Sequence, residues 1–329
     1  MKAKKLLSSV IALATLLSQI TTFAADNDTV TVYAASQSYG AFMTAPQQIE
    51  VSASEAEKYG YTDMVSSGVS ALDVLVKEHE LIFGGDFTAD TKNEYLSLSG
   101  TSVAKIFGVE TYSNGFLLNG GYPNDGTEST YGGYNGTTVS TQEVKDGDKL
   151  DFFIYQDESY YSDKYTWLDT SVSGKNVEIT AKGAMVMYGY TCKTPDDFKA
   201  SAAALCGTGL AWVDENGGLT PIDGVVTDDD GKAQITLPDY DVHYITAVGT
   251  DDSDSPVIMN SVIVKAEDEP ASSEPIPSEP IPSEPIPSEP IPSEPIPSEP
   301  IPSEPIPSEP IPSEPIPSEP IPSEPIPSE

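Results

Sequence analysis

Short apolar runs of period two fill the first half of the chain, and one helical pattern interrupts them. Thr29 to Tyr33 alternates and reads as a strand, and Gln48 to Val51 reads as another. From Ser70 to His79 the period changes. Leu72, Leu75 and Val76 fall on one face of a helix, with Ser70 placed to cap it and Asp73 at the third position of a capping box. Strands punctuated by glycine follow: Lys105 to Phe107, then Gly115 to Leu118 with Asn119-Gly120 as a turn. Asp146-Gly147-Asp148 is a further tight turn. It launches Lys149 to Tyr155, where Leu150, Phe152 and Ile154 share one side. Strands, a helix, then more strands predict a helix packed on a mixed sheet.

From about Thr170 the texture changes. Asn176 to Ala181 and Ala184 to Tyr190 read as strands, and Asp196 to Leu205 as a short helix. Leu210 to Val213, Gly224 to Val226, Ala233 to Leu237, Tyr244 to Val248 and Val257 to Val264 then follow at the spacing of a β-sandwich.

Three runs carry a resemblance. They are Gly68-Val69-Ser70-Ala71-Leu72-Asp73-Val74-Leu75, Asn114-Gly115-Phe116-Leu117-Leu118-Asn119-Gly120 and Val144-Lys145-Asp146-Gly147-Asp148-Lys149-Leu150. Together they resemble an exported bacterial domain family of unknown function, related to the C-terminal domain of transcobalamin and intrinsic factor. The resemblance covers about Asp28 to Asp169. It implies a β-grasp-like sheet with one helix and a soluble ligand-binding module. The α-helical barrel that cobalamin carriers add to this domain is absent from the chain, so cobalamin binding is not implied. Further on, Thr227-Asp228-Asp229-Asp230-Gly231-Lys232-Ala233 with Ile235-Thr236-Leu237-Pro238 resembles a turn and strand of bacterial surface sandwiches. These are the collagen-adhesin-repeat and carboxypeptidase-regulatory-like types, which serve as spacers.

The two ends place the protein. Lys2, Lys4 and Lys5 precede the apolar run Leu6 to Leu17. Thr22-Phe23-Ala24 or Phe23-Ala24-Ala25 offers a small-residue cleavage site, so residues 1–24 read as a secretory signal peptide. At the other end, eleven copies of Ser-Glu-Pro-Ile-Pro run from Ser273 to Pro327. Proline at two positions in five removes backbone donors and fixes φ, which excludes helix and sheet. The segment is expected to be a polyproline II rod of about 175 Å at full extension, at roughly 3.1 Å per residue. The chain stops inside a twelfth copy, and a cell-wall sorting signal or a membrane helix beyond Glu329 is expected. The predicted architecture is α+β: signal peptide 1–24, β-grasp-like domain 28–169, all-β Ig-like sandwich 170–268 and a disordered proline-rich stalk 269–329. The expected location is the surface or cell wall of a Gram-positive-type bacterium.

Charge narrows the partners. The chain has 16 basic residues, all of them Lys, against 52 acidic ones. Three Lys lie in the signal peptide and 12 Glu in the repeat. Residues 25–272 therefore carry 13 Lys against 40 acids, a net −27. Such a surface excludes nucleic acid and anionic lipid, whose affinity comes from Lys and Arg on phosphate. The expected partner is a small molecule or glycan, or a host or bacterial surface protein.

Candidate chemistry is sparse. Tyr122, Tyr131 and Tyr134 lie in a Gly-rich loop, and Tyr160, Tyr161, Tyr165 and Trp167 follow a strand. If the two groups converge they offer flat apolar faces with polar edges for a glycan or planar ligand; otherwise they seal the core and the junction between domains. Cys192 and Cys206, in an exported chain, are expected to form a disulfide. Asp228-Asp229-Asp230-Gly231 offers either a calcium loop or a hairpin turn. Val226 stands where an EF-hand needs its first acidic ligand. Lys–Asn isopeptide bonds occur in adhesin sandwiches, and Lys175 near the first strand with Asn260 on the last supplies the residue types, with no Glu clearly placed between them. His79 and His243 have no ligand-spaced neighbours. No nucleophile elbow, Cys/His pair or metal motif is present. The reading is a non-enzymatic protein without cofactor: a ligand-binding head on a proline-rich wall-spanning stalk, or alternatively a surface adhesin for glycan or host protein, or a structural envelope spacer without ligand.

Overall fold

Ser70 opens the longest helix among the described residues, as its sequence implies. In the computed structural model, which describes residues 29–267 apart from 66 and 160, Ser70 Oγ accepts the Asp73 N–H at 3.1 Å. The Asp73 carboxylate in turn accepts the Ser70 N–H at 2.9 Å. This reciprocal cap satisfies donors that the first turn leaves free and is worth about 1 kcal/mol. The helix, α1 (Ala71–Phe83), ends at Gly84 with φ +53°, in the left-handed region that glycine tolerates. The expected signal peptide and the repeat tail lie outside the described residues.

α1 packs on a four-stranded mixed sheet. Strands β1 (Thr29–Ser38) and β2 (Ala41–Ser52) form an antiparallel hairpin. β3 (Asn114–Leu118) joins later, and a hairpin of β4 (Asn124–Glu128) and β5 (Tyr134–Gly136) follows it. β6 (Lys149–Ile154) then inserts parallel to β1 and antiparallel to β3, so the order is β2-β1-β6-β3. Leu150, Phe152 and Ile154 of β6 turn to the helix, as their alternation predicts, and meet Leu72, Leu75 and Val76 there.

The opposite face of this sheet is also buried. Leu117, Phe153 and Tyr155 project from it onto a second sheet and pack with Tyr165, Trp167, Val186, Phe198 and Ile258. That second sheet is built on β7 (Lys164–Ser173) paired along its whole length with β8 (Asn176–Met185). After β8 come a 3-10 helix (Val186–Thr191), α2 (Pro195–Ala200) and the short β9 (Ala203–Ala204), which returns to the edge of β8. A third sheet has the order β11-β10-β13-β15, with β10 (Gly209–Val213), β11 (Leu219–Val226), β13 (Val242–Val248) and β15 (Val262–Lys265). β12 (Lys232–Thr236) pairs with β8 and β14 (Val257–Ile258) with β7, so both join the second sheet. The second and third sheets enclose a core that includes Val177, Ile179, Leu210, Ile235 and Ile245.

Three expectations change. The boundary expected at 169/170 falls in the middle of β7, because Tyr165 and Trp167 face the first sheet while Leu168 faces the sandwich core. The two halves therefore share an apolar layer instead of being joined by a linker. The strand expected over Ala184 to Tyr190 stops at Met185 and tightens into the 3-10 turn. The strand expected over Val257 to Val264 is two strands, β14 and β15, in different sheets, and the chain crosses between them at residues 259–261. Gln37 clamps that crossing. Its side-chain amide donates to the Met259 carbonyl and accepts the Met259 N–H, both at 2.9 Å.

Candidate functional site

The expected aromatic site divides. Tyr165 is fully buried, and its hydroxyl donates to Asp151 Oδ2 at 2.6 Å. Burial first, then the adjacent Asp151 carboxylate, raises its pKa far above that of a free tyrosine. Trp167 is buried edge-on between Tyr165 and Phe198, with ring centroids 5.0 and 5.3 Å away. Tyr161 is half-buried and edge-on to Tyr155. Tyr165 and Trp167 are thus part of the layer between two sheets, because both faces of β7 are covered at that point. Tyr160 lies outside the described residues.

The other group gathers at a surface. Tyr131 sits at the tip of the β4–β5 hairpin and is 97% exposed. The hairpin rests on the 3-10 helix, where Tyr188 and Tyr190 are also exposed. The fit is close. A Cβ on Gly133, whose φ is +71°, would lie 2.5 Å from the Tyr190 carbonyl oxygen. One on Gly189 would lie 2.8 Å from Tyr122 Cβ. Glycine at both positions lets the two backbones meet. Tyr122 is half-buried in this joint beneath the hairpin, and burial raises its pKa. Asn124 adds bonds to the Tyr122 and Lys193 carbonyls at 3.0 and 3.3 Å. Half-buried Tyr134, with Glu128, Ser129, the two glycines 132 and 133 and Thr191, lines a cleft of about 240 Å³ beside Tyr131.

Sequence reasoning missed Tyr188 and Tyr190. As part of an expected strand they had no reason to meet the β4–β5 hairpin. The signal was the Gly189 between them, which weakens a strand and marks close backbone approach. A larger cleft of about 700 Å³ opens at one end of the sandwich, between β7, β8, β12 and β11. Its floor is Val177 and Ile235 of the sandwich core, and its rim is Ser171, Asn176, Glu178 and Gln234.

The two cysteines do not meet. Cys192 is half-buried against the layer between the sheets, with Thr191 Oγ1 3.9 Å from its sulfur. Cys206 Sγ lies 3.2 Å from the Asp229 carbonyl oxygen. Desolvation, then the neighbouring Asp252 and Asp229 charges, raises its pKa. Both thiols are free in the structure, without the expected Cys192–Cys206 bond. Both thiols of the denatured, unreduced protein are expected to alkylate; a resistant pair would show that a bond forms in solution.

The acidic loops are turns. Asp228 Oδ1 accepts the N–H groups of Asp230 and Lys232 at 2.9 and 2.8 Å, shaping the β11–β12 hairpin. Asp251 accepts from Ser253 and Ser255 in the same way and pairs with Lys164. Among the described residues no three His, Cys, Asp or Glu gather as a metal cage. His79 is a satisfied core residue. Its Nδ1 lies 2.8 Å from the Leu75 carbonyl, its Nε2 accepts the Phe107 N–H at 3.1 Å, and its ring stacks on Phe107. Burial lowers its pKa to about 4. Among the described residues no helix is long and apolar enough to cross a membrane.

No protein-family model, no curated protein and no solved structure matches the chain.

Proposed function

We propose that this is a non-enzymatic, exported bacterial surface protein whose folded head binds glycan, or a protein surface with similar flat patches, through the Tyr131–Tyr188–Tyr190 face. The proline-rich repeat is its stalk. The observation that carries the reading is that the hairpin bearing exposed Tyr131 packs, at Gly133, on Tyr190 of the 3-10 helix, where Tyr188 and Tyr190 are also exposed. Tyrosine offers large, rigid area at low entropy cost, and such rings recur as binding anchors. The adjoining cleft adds hydroxyl and carboxylate groups from Ser129, Thr191 and Glu128. The sheet order with its parallel central pair and single long helix supports the β-grasp-like reading of the first half. Two sheets around one core support the sandwich reading of the second. The net charge of −27 in residues 25–272 keeps polyanions away.

The sandwich-end cleft favours a second reading, capture of a small soluble ligand. The two are separated by one comparison. The exported protein and its Tyr131→Ala/Tyr188→Ala variant are passed over immobilised cell-wall and mucin-type glycans. The variant should lose about tenfold or more in affinity, since anchor side chains typically contribute 1–2 kcal/mol. Its stability should stay within about 0.5 kcal/mol, because neither ring is buried. Equal binding by both proteins, or none by either, would sink the glycan reading. A discrete added mass in native mass spectrometry would then support the soluble-ligand one.

A further inference from the structure

The crossing at residues 259–261 brings Asn260 against a lysine that lies 111 positions earlier. Lys149 Nζ, at the start of β6, donates to Asn260 Oδ1 at 2.5 Å. The other end of the same carboxamide is fixed, with Nδ2 donating to the Thr166 carbonyl at 2.9 Å. Asp151, two residues along β6 and on the same face, places Oδ2 3.3 Å from Lys149 Nζ, and its side chain is only 1% exposed. Tyr165 donates to that same oxygen, and Ile258 and Met259 beside the site are buried. Lys175 takes no part. It donates to the Pro238 carbonyl and lies over the Tyr240 ring.

We propose that Lys149 and Asn260 are a cross-linking pair, which Asp151 converts into an intramolecular isopeptide bond. A lysine amine is a nucleophile once neutral, and a carboxamide is its electrophile. The Asp151 carboxylate takes one proton from the Lys149 ammonium. Neutral Nζ then attacks Cγ of Asn260. Asp151 returns its proton to Nδ2, the Cγ–Nδ2 bond breaks and ammonia departs. The second proton shed by Nζ passes through the regenerated carboxylate to that ammonia, which leaves as ammonium. An ammonium and a carboxamide thus become a secondary amide and an ammonium ion, with no oxidant or cofactor. The fixed geometry of the three side chains replaces an encounter in solution.

The bond would join the first sheet to the last crossing before the stalk. Tension entering from the repeat would pass from Asn260 to β6 directly, bypassing the strands between residues 164 and 258. This inference does not depend on what the tyrosine face binds.

The exported full-length protein is digested and sequenced by tandem mass spectrometry. Wild type should yield a branched peptide joining positions 149 and 260, lighter by one ammonia than its two arms. Lys149→Arg keeps the charge and a donor to Asn260 but cannot form the amide, so both arms should be linear. Asp151→Asn should fold, by its circular dichroism, yet remain unlinked. Linear arms with an intact Asn260 amide in folded wild type would overturn the cross-link. A branched peptide in Asp151→Asn would overturn the role given to Asp151.

Discussion

Trp167→Ala should lower the unfolding free energy by about 3–5 kcal/mol, the range for emptying a large aromatic site. Trp167 is 8% exposed and lies between rings of its own strand and of α2, in the layer where Leu117 and Phe153 of the first sheet meet the second. Truncation leaves a cavity between two sheets, each held in place by its other face, so collapse around the gap is restricted. With an m-value of roughly 3 kcal/mol/M, the urea midpoint should fall by about 1–2 M. A tryptophan on a binding surface would behave otherwise, with stability nearly unchanged and affinity lost. An unshifted midpoint would therefore return Trp167 to the surface role that its sequence context suggested.

Glu78 should make stability depend on pH. It lies on the sheet-facing side of α1, fully buried, where one carboxylate oxygen accepts from Ser36 at 2.7 Å and from Thr44. The other oxygen has no hydrogen-bond partner. Burial raises its pKa to about 7, against the pull of the two hydroxyls and with a further push from the Asp151 charge. Below the unfolded value of about 4.3 both states hold the proton and stability is complete. As pH climbs from there through about 7, the unfolded chain releases the proton first and stability falls. The loss by pH 8 is of order 3 kcal/mol. Glu78→Gln keeps the shape and cannot ionise, so it should be the more stable protein at pH 8 by about that amount and nearly equal at about pH 4. His79 works in the opposite direction. Its lowered pKa costs stability as pH falls below about 6.5. The readout is therefore the difference between wild type and Glu78→Gln in urea unfolding, since both retain His79. Parallel pH profiles would show that Glu78 is ionised at no cost in the fold.

Much of the fold was legible locally. The Ser70 cap, the face formed by Leu72, Leu75 and Val76, and the alternation of Leu150, Phe152 and Ile154 each express an interaction between near neighbours or with one uniform face. The turns at Asp146 to Asp148 and Asp228 to Gly231 are likewise made by side chains bonding their own backbone. The candidate site was half legible. Tyr131 and Tyr134 stand in the Gly-rich segment as read, which folds as a hairpin rather than a loop. Their hairpin packs on the segment of Tyr188 and Tyr190, whereas Tyr165 and Trp167 are buried between sheets.

The chain's own pattern was thus enough for many of the strand and helix segments, the acidic surface and the division into a patterned head and a proline repeat. Local propensity, alternation and charge act over a few residues and need no knowledge of the rest. Layer stacking settled the remainder. A period-two strand records which residues share a face, but whether that face meets water or another sheet depends on what is laid over it. β7 is covered on both sides, so its aromatics became core. The close approach at Gly133 and Gly189 set two tyrosines beside a hairpin, and the crossing between sheets carried Asn260 to Lys149. Those meetings join residues tens to a hundred positions apart, and they exist only once long-range packing has repaid the entropy of closing the loops between them.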